Sequence, residues 1–261
     1  MSLRQRLKNK EFSLGTWLTI GHPSIAEILC DQDFDWITLD MEHTSMTLET
    51  AQGLLNVIQG RGKKALIRVS RNDDVLVKKA MDIGSDGVII PNICNLKDAK
   101  DAIDHTLYPP TGKRGVGLFR AQGYGYKFEK YLDWLENEAV IIGQLEHIDA
   151  LENIKDILSV ERIDGFIVGP YDLSASMGYP GEFNRADVKQ ALKGLIQACK
   201  DAGKSIGFHQ VQPDPALLLE KISVDGFNFA AYGTDFYFLA DKIKSDFTQI
   251  HQGLSSRRQR V

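Results

Sequence analysis

Apolar residues along this chain come in two alternating forms: short continuous runs, and longer stretches in which they recur every third or fourth position. The continuous runs have the character of strands covered on both faces. They predict strands over Leu14–Ile20, Trp36–Leu39, Ala65–Val69, Gly87–Ile90, Val140–Leu145, Gly165–Val168, Ser205–Phe208 and Gly226–Phe229. The spaced stretches predict amphipathic helices over Ile25–Asp31, Leu48–Gln59, Val75–Ile83, Leu96–His105, Ala150–Leu158, Ala186–Ala202 and Pro215–Ile222. Glycines at Gly84 and Gly203 stand just past two of these helices, where a C-terminal cap is wanted. Strands alternating with helices demand parallel pairing and right-handed crossovers. Eight of them favour closure into a single (β/α)8 TIM barrel spanning 1–261, an α/β fold, over an open sheet. No Gly-x-Gly-x-x-Gly follows the first strand, which removes the dinucleotide-binding alternative. Residues 1–12 form an N-terminal extension and 234–252 a C-terminal helix. The end, 253–261, carrying Arg257-Arg258-Gln259-Arg260, reads as a solvated, frayed tail.

The runs stop on groups that do chemistry. Trp36–Leu39 runs into Asp40-Met41-Glu42-His43, Val140–Gly143 into Gln144-Leu145-Glu146-His147, and Phe166–Val168 into Gly169-Pro170-Tyr171-Asp172-Leu173-Ser174. A fourth run, Lys64–Ile67, ends on Arg68. Acid, base and cation at the C-terminal ends of parallel strands are what a barrel enzyme carries on its active rim. The one long irregular stretch, Tyr108–Tyr126, is rich in glycine and carries Arg114 and Arg120. It is expected over the rim as a substrate-facing loop, a plain surface excursion being the alternative.

Composition narrows the class. With 261 residues, 43% hydrophobic and 25% charged, the chain has the size and make-up of one globular barrel. A net charge of -4 lacks the footprint of a nucleic-acid binder. Three scattered cysteines, with no Cys-x-x-Cys pair, suit reduced thiols in the cytoplasm. Neither a secretory signal nor an apolar run approaching a membrane span is visible.

Glu146 and Asp172 follow consecutive strands, so a barrel makes them neighbours across the rim. Two close carboxylates repel unless they share a proton or bind a cation. Oxygen ligands with positions left for water and substrate suit Mg2+ or Mn2+, with Co2+ also acceptable and zinc less natural. Pairing of one carboxylate with Arg68 is the structural alternative. No lysine ends a strand, as a Schiff-base or PLP enzyme requires, so no PLP is expected. The segments expected after strands seven and eight, His209–Pro213 and Ala230–Thr234, lack a glycine-rich phosphate cradle. His209 faces the rim as either a substrate contact or a satisfied polar residue, and Trp17 reads as rim packing.

Taken together, these residues resemble the HpcH/HpaI family of class II, metal-dependent pyruvate aldolases, from about Leu14 to Ala240. The specific pieces are Asp40–His43, Tyr108–Gly117 (YPPTGKRGVG), Gln144–Glu146 and Gly169–Gly178 (GPYDLSASMG). The resemblance implies Glu146 and Asp172 as direct metal ligands, with Glu42 and Gln144 holding waters or substrate oxygens around them. It implies His43 as the acid/base group, Arg68 at the keto oxygen of pyruvate, and Asp82 as the carboxylate that pairs with the catalytic histidine. Asp40, Gly169, Pro170 and Ser174 would support the metal and substrate; from the divergent loop we ourselves place Arg120 or Tyr124 at the aldehyde end. The resemblance also implies a homo-oligomer, commonly a hexamer, with C-terminal helices exchanged between subunits, and no nucleotide cofactor.

The chemistry implied is reversible cleavage of a 4-hydroxy-2-oxoacid, such as a 2-keto-3-deoxy sugar acid, into pyruvate and an aldehyde. Tyr171, His147 and the text of 117–124 depart from the commoner pattern, so the aldehyde half is where this chain differs. Cleavage of a hydroxyacyl-CoA or citryl-type thioester, or decarboxylation of oxaloacetate, is the alternative on the same fold.

Overall fold

The computed structural model describes residues 1–258 and bears out the alternation of strands and helices. The first half runs α1 (Leu3–Asn9), β1 (Ser13–Leu18), α2 (Pro23–Cys30), β2 (Trp36–Asp40), α3 (Leu48–Gly60), β3 (Lys64–Arg68), α4 (Asp74–Asp82), β4 (Gly87–Ile90), α5 (Leu96–Thr106) and α6 (Phe128–Asn137). The second runs β5 (Val140–Leu145), α7 (Ile148–Glu152), α8 (Ile154–Leu158), β6 (Gly165–Val168), α9 (Pro170–Ser176), α10 (Ala186–Asp201), β7 (Ser205–Gln210), α11 (Pro215–Glu220), β8 (Phe229–Thr234) and α12 (Asp235–Arg258). Each strand pairs in parallel with the next, and β8 pairs with β1, closing the barrel. The fold is a (β/α)8 barrel.

Two apolar layers hold it. An outer layer lies between the strands and the surrounding helices; an inner one fills the barrel with Trp17, Trp36, Leu66, Ile89, Ile142, Ile167 and Phe229. Large rings fit inside because glycines face them. A Cβ on Gly15 would lie 2.1 Å from the Trp36 ring, and one on Gly207 2.5 Å from Phe229. Large against small at facing positions is how a narrow barrel reaches close packing.

The N-terminal extension is ordered. Ser2 caps α1 reciprocally with Gln5, and Leu3 and Leu7 join the inner layer, so the helix corks the barrel at the strand N-termini. Arg4 pairs there with Asp164 at 2.8 Å, both buried. Two apolar residues in one short helix are too few to show a period in sequence.

Four expectations need correction. β8 lies over Phe229–Thr234, not Gly226–Phe229, so Ala230–Thr234 is strand and not the following loop. A π-helical turn at Lys221–Asp225 and Gly226 (φ 67°) occupy the earlier positions, and small Ala230 and Ala231 hid the real run. The helix expected over Ala150–Leu158 is broken at Asn153 into α7 and α8. α6 and α9 were not foreseen.

The fourth correction is the long loop. Tyr108–Tyr126 follows α5, which has already returned to the strand N-termini, so within its own chain the loop packs at that end and not over the rim. α12 continues through Arg258, so the segment expected to fray from 253 is helical as far as it is described; 259–261 lie outside the described residues. Among the described residues, no helix is long and apolar enough to cross a membrane.

Candidate active site

The C-terminal ends of the strands surround a cavity of about 740 Å3 whose lining includes Asp40, His43, Arg68, Gln144, Glu146 and Asp172. Its anchor is the pairing of β2 with β3, which sets Asp40 directly opposite Arg68. The guanidinium meets the carboxylate through two bonds, Nε to Oδ1 at 3.0 Å and Nη2 to Oδ2 at 2.7 Å. Its remaining arm, Nη1, lies 3.1 Å from Glu42 Oε2. Burial would raise the Asp40 carboxyl, but Arg68 and the N–H groups of Glu42 and His43 hold it below its ordinary value. Asp40 is thus a fixed anion that orients the arginine fork.

Glu146, just past β5, is built differently. Its Oε1 accepts the backbone N–H of Asn92 at 2.8 Å and its Oε2 the side-chain amide of Gln144 at 2.7 Å. Asn92 points its N–H there by adopting a left-handed conformation, φ 53°. Gly169 makes room: a Cβ at that position would stand 2.8 Å from Glu146 Oε2. Burial pushes the Glu146 carboxyl up to about 7 against the Asn92 bond, and the charges of Glu42 and Asp172 push the same way. Glu42 also rises to about 7, from burial and the charges of Asp40 and Asp172, with Arg68 opposing.

These carboxylates crowd one another with too little positive charge nearby. The buried Oε1 of Gln144 has no partner. Among the described residues no three His, Cys, Asp or Glu side chains converge to hold a metal unaided. Two carboxylates and an orphaned amide oxygen, open to a wet cavity, nevertheless suit a hard divalent cation that keeps water or substrate in its shell. Glu146 and Asp172 would hold it, with Gln144 beside them.

Asp172 lies in the first turn of α9, exposed at the rim. His43 is also exposed, its Nε2 3.8 Å from Glu42 Oε2. Gly169 caps α9 and Pro170 is its first residue, and both line the cavity. Ser174 is not part of that lining: buried, it donates to the Tyr171 carbonyl and accepts from the Gly181 N–H, pinning the loop after α9.

Two more expected site residues lie at the far end of their own chain's barrel. Asp82 ends α4 at the opposite end of the barrel, where Arg114 pairs with it at 2.8 Å. Arg120 donates to the Ile83 carbonyl and to Gln59 at that same end. Trp17, read as packing, forms a shelf beneath the site, with the Arg68 guanidinium carbon 4.1 Å from its ring centroid. Tyr237 also lines the cavity and was missed, because the misplaced eighth strand put the rim too early in the chain.

A family model described as "HpcH/HpaI aldolase/citrate lyase" matches residues 13–241. The chain belongs to the HpcH/HpaI aldolase/citrate lyase family. It is similar to the 2-keto-3-deoxy-L-rhamnonate aldolase of Escherichia coli (strain K12), 32% identical over 257 residues, covering 98% of this chain and 95% of that protein. A Burkholderia cenocepacia J2315 family protein of known structure is 28% identical with a TM-score of 0.89, covering 95% of this chain and 98% of its own. An HpcH/HpaI aldolase from Desulfitobacterium hafniense DCB-2 is 26% identical with a TM-score of 0.86, covering 96% of each chain. Membership makes the protein a carbon–carbon lyase and implies a divalent metal.

Proposed function

We propose that this protein catalyses the reversible aldol cleavage of a 4-hydroxy-2-oxoacid, of the 2-keto-3-deoxy sugar acid type, to pyruvate and an aldehyde. The observation that carries the reading is the juxtaposition of Glu146 and Asp172 with the Asp40–Arg68 clamp in one cavity at the strand ends. A divalent cation, Mg2+ or Mn2+, supplies positive charge beside the carboxylate and 2-oxo group of the substrate when bound between those acids. Arg68, held rigid by Asp40, offers a second positive charge where the keto oxygen becomes negative as the bond breaks. His43, on the wet side of the cavity, takes the proton from the C4 hydroxyl and returns one in the addition direction.

The enzyme works as a cytoplasmic homo-oligomer of the hexameric kind. Its three cysteines are free thiols, which suits a reducing compartment. Phe236, Leu239, Ile243, Phe247, Ile250 and Leu254 are exposed at helical spacing along α12, an apolar face that suits exchange of that helix with another subunit. The pairing of Asp82 with a catalytic histidine, which the family resemblance implies, is then made between copies, since within one chain they lie at opposite ends of the barrel.

The test is deuterium exchange into the methyl group of pyruvate in D2O, with metal-stripped protein and after return of Mg2+, Mn2+ or Co2+. Metal-dependent exchange is expected. No exchange with any metal overturns the pyruvate half of the reading and brings thioester substrates forward.

A further inference from the structure

His209, in β7, is held on two sides. Its ring stacks on Trp17 with centroids 4.8 Å apart and planes 20° from parallel, and Trp17 carries Arg68 on its ring. Its Nε2 lies 3.2 Å from the carbonyl oxygen of Gly233. A carbonyl can only accept, so Nε2 carries the proton. Burial, with the Arg68 cation adding to it, pushes the His209 imidazolium down to about 3, and the ring is neutral in the working range of an enzyme. In a neutral ring protonated at Nε2, Nδ1 holds a lone pair. Among the described residues Nδ1 has no hydrogen-bond partner, and it is not among the buried unpartnered atoms, so it opens to the cavity.

The position of this acceptor matters. Behind the metal-side cavity, between α10 and α11, lies a second one of about 830 Å3. Val168, Pro170, Tyr171, His209 and Val211 line both. The far chamber adds polar groups at Asn184, Lys193 and Gln212. A substrate tail leaving the metal side for this chamber passes His209.

We infer that His209 is a specificity-determining residue whose Nδ1 accepts a hydrogen bond from a hydroxyl of the aldehyde-derived half of the substrate. The acceptor class is a short, hydroxylated, sugar-derived aldehyde whose far end points toward the second chamber. This rests on the aldolase reading above and deepens it. A substrate hydroxyl supplies Nδ1 with a donor, whereas a deoxy analogue placed against it leaves that nitrogen unpaired.

The experiment uses the full chain with Mn2+ and two readouts. Pyruvate methyl exchange, which needs no aldehyde, reports on the aldolase reading. Addition of pyruvate to glyceraldehyde and to propanal, compared as kcat/KM, reports on His209. The unaltered protein is expected to prefer glyceraldehyde by roughly tenfold or more. His209→Phe keeps a ring on Trp17 but removes the acceptor, and should abolish that preference. His209→Gln, which can donate to Gly233 and still accept, should restore most of it.

An unchanged preference in a folded His209→Phe protein overturns the inference and leaves the aldolase reading standing. Equal kcat/KM for the two aldehydes in the unaltered protein overturns it without any variant. Absence of exchange in the unaltered protein overturns the aldolase reading and this inference with it.

Discussion

The two ends of this barrel treat charge in opposite ways. At the strand N-termini charges are paired one against another: Arg4 and Arg162 both reach Asp164 at 2.8 Å, Lys64 reaches Asp86 at 3.0 Å, and Arg114 reaches Asp82 at 2.8 Å. Lys204, also at that end, donates to the carbonyls of Val160, Glu161 and Ile163. At the C-terminal rim Arg68 reaches both Asp40 and Glu42, and Glu42 and Glu146 are pushed up to about 7. Unpartnered buried atoms of Trp17, Gln144 and Thr234 all belong to residues lining the rim cavity. At the floor the unpartnered atoms are single Nε groups of Arg114 and Arg162, whose guanidinium arms are paired with carboxylates. The same sheet therefore carries a charge-paired end that holds the fold and an acid-rich end that suits ligands.

The sharpest way to break that contrast is to relieve the rim. Glu146→Gln and Asp172→Asn should each lower kcat/KM by roughly a thousandfold or more and abolish Mn2+ binding by titration calorimetry. Because an uncompensated acid has been removed, thermal stability of the metal-free protein should not fall. A variant that keeps metal-dependent turnover refutes the ligand assignment.

Next in size is a test across subunits. His43→Ala and Asp82→Ala should each be impaired by about a hundredfold or more, from loss of acid/base catalysis. Mixed and reassembled, the two should recover activity that neither shows alone. No recovery in verified mixed oligomers means that Asp82 serves its own subunit's fold.

The floor should respond in the opposite sense. Asp164→Ala strands Arg4 and Arg162 and should cost about 3–5 kcal/mol in urea unfolding. Activity per folded molecule should stay near the unaltered value. A large loss of kcat with little loss of stability would erase the distinction between the two ends.

The smallest effect concerns pH. His209 is half-buried and neutral, with its proton affinity depressed from 6.5 to about 3. The unfolded chain therefore binds this proton first, and stability falls as pH drops through the window between those values. Above pH about 6.5 no contribution is expected. Melting temperature against pH should fall less steeply in acid for His209→Gln than for the unaltered protein, and equal slopes would show that the imidazole is solvated.

Much of this arrangement was legible because the strands ending on chemistry are continuous and bulky. Asp40, Arg68, Gln144 and Glu146 could be placed by reading where such runs stop. β8 was not, since Ala230-Ala231-Tyr232-Gly233 carries too little apolar bulk, and that slip hid Tyr237. The loop holding Arg120 was misassigned for a topological reason: a connection that follows a helix belongs to the floor of its own barrel. Asp82 was singled out only by resemblance, because in sequence it is simply the last residue of a helix, α4. The stack of Arg68, Trp17 and His209 joins residues from three strands, and nothing in their spacing announces it.

The missing side chain at Gly169 also bears on how this enzyme can change over generations. A Cβ there would stand 2.8 Å from the Glu146 side chain, so any substitution must displace that carboxylate from its place. Two residues later Tyr171 stands exposed and lines both cavities, its ring meeting the edge of Phe183. One helical turn thus couples a locked position to a free one. Lineages descending from this sequence should drift in the aldehyde they accept long before they lose the reaction they perform.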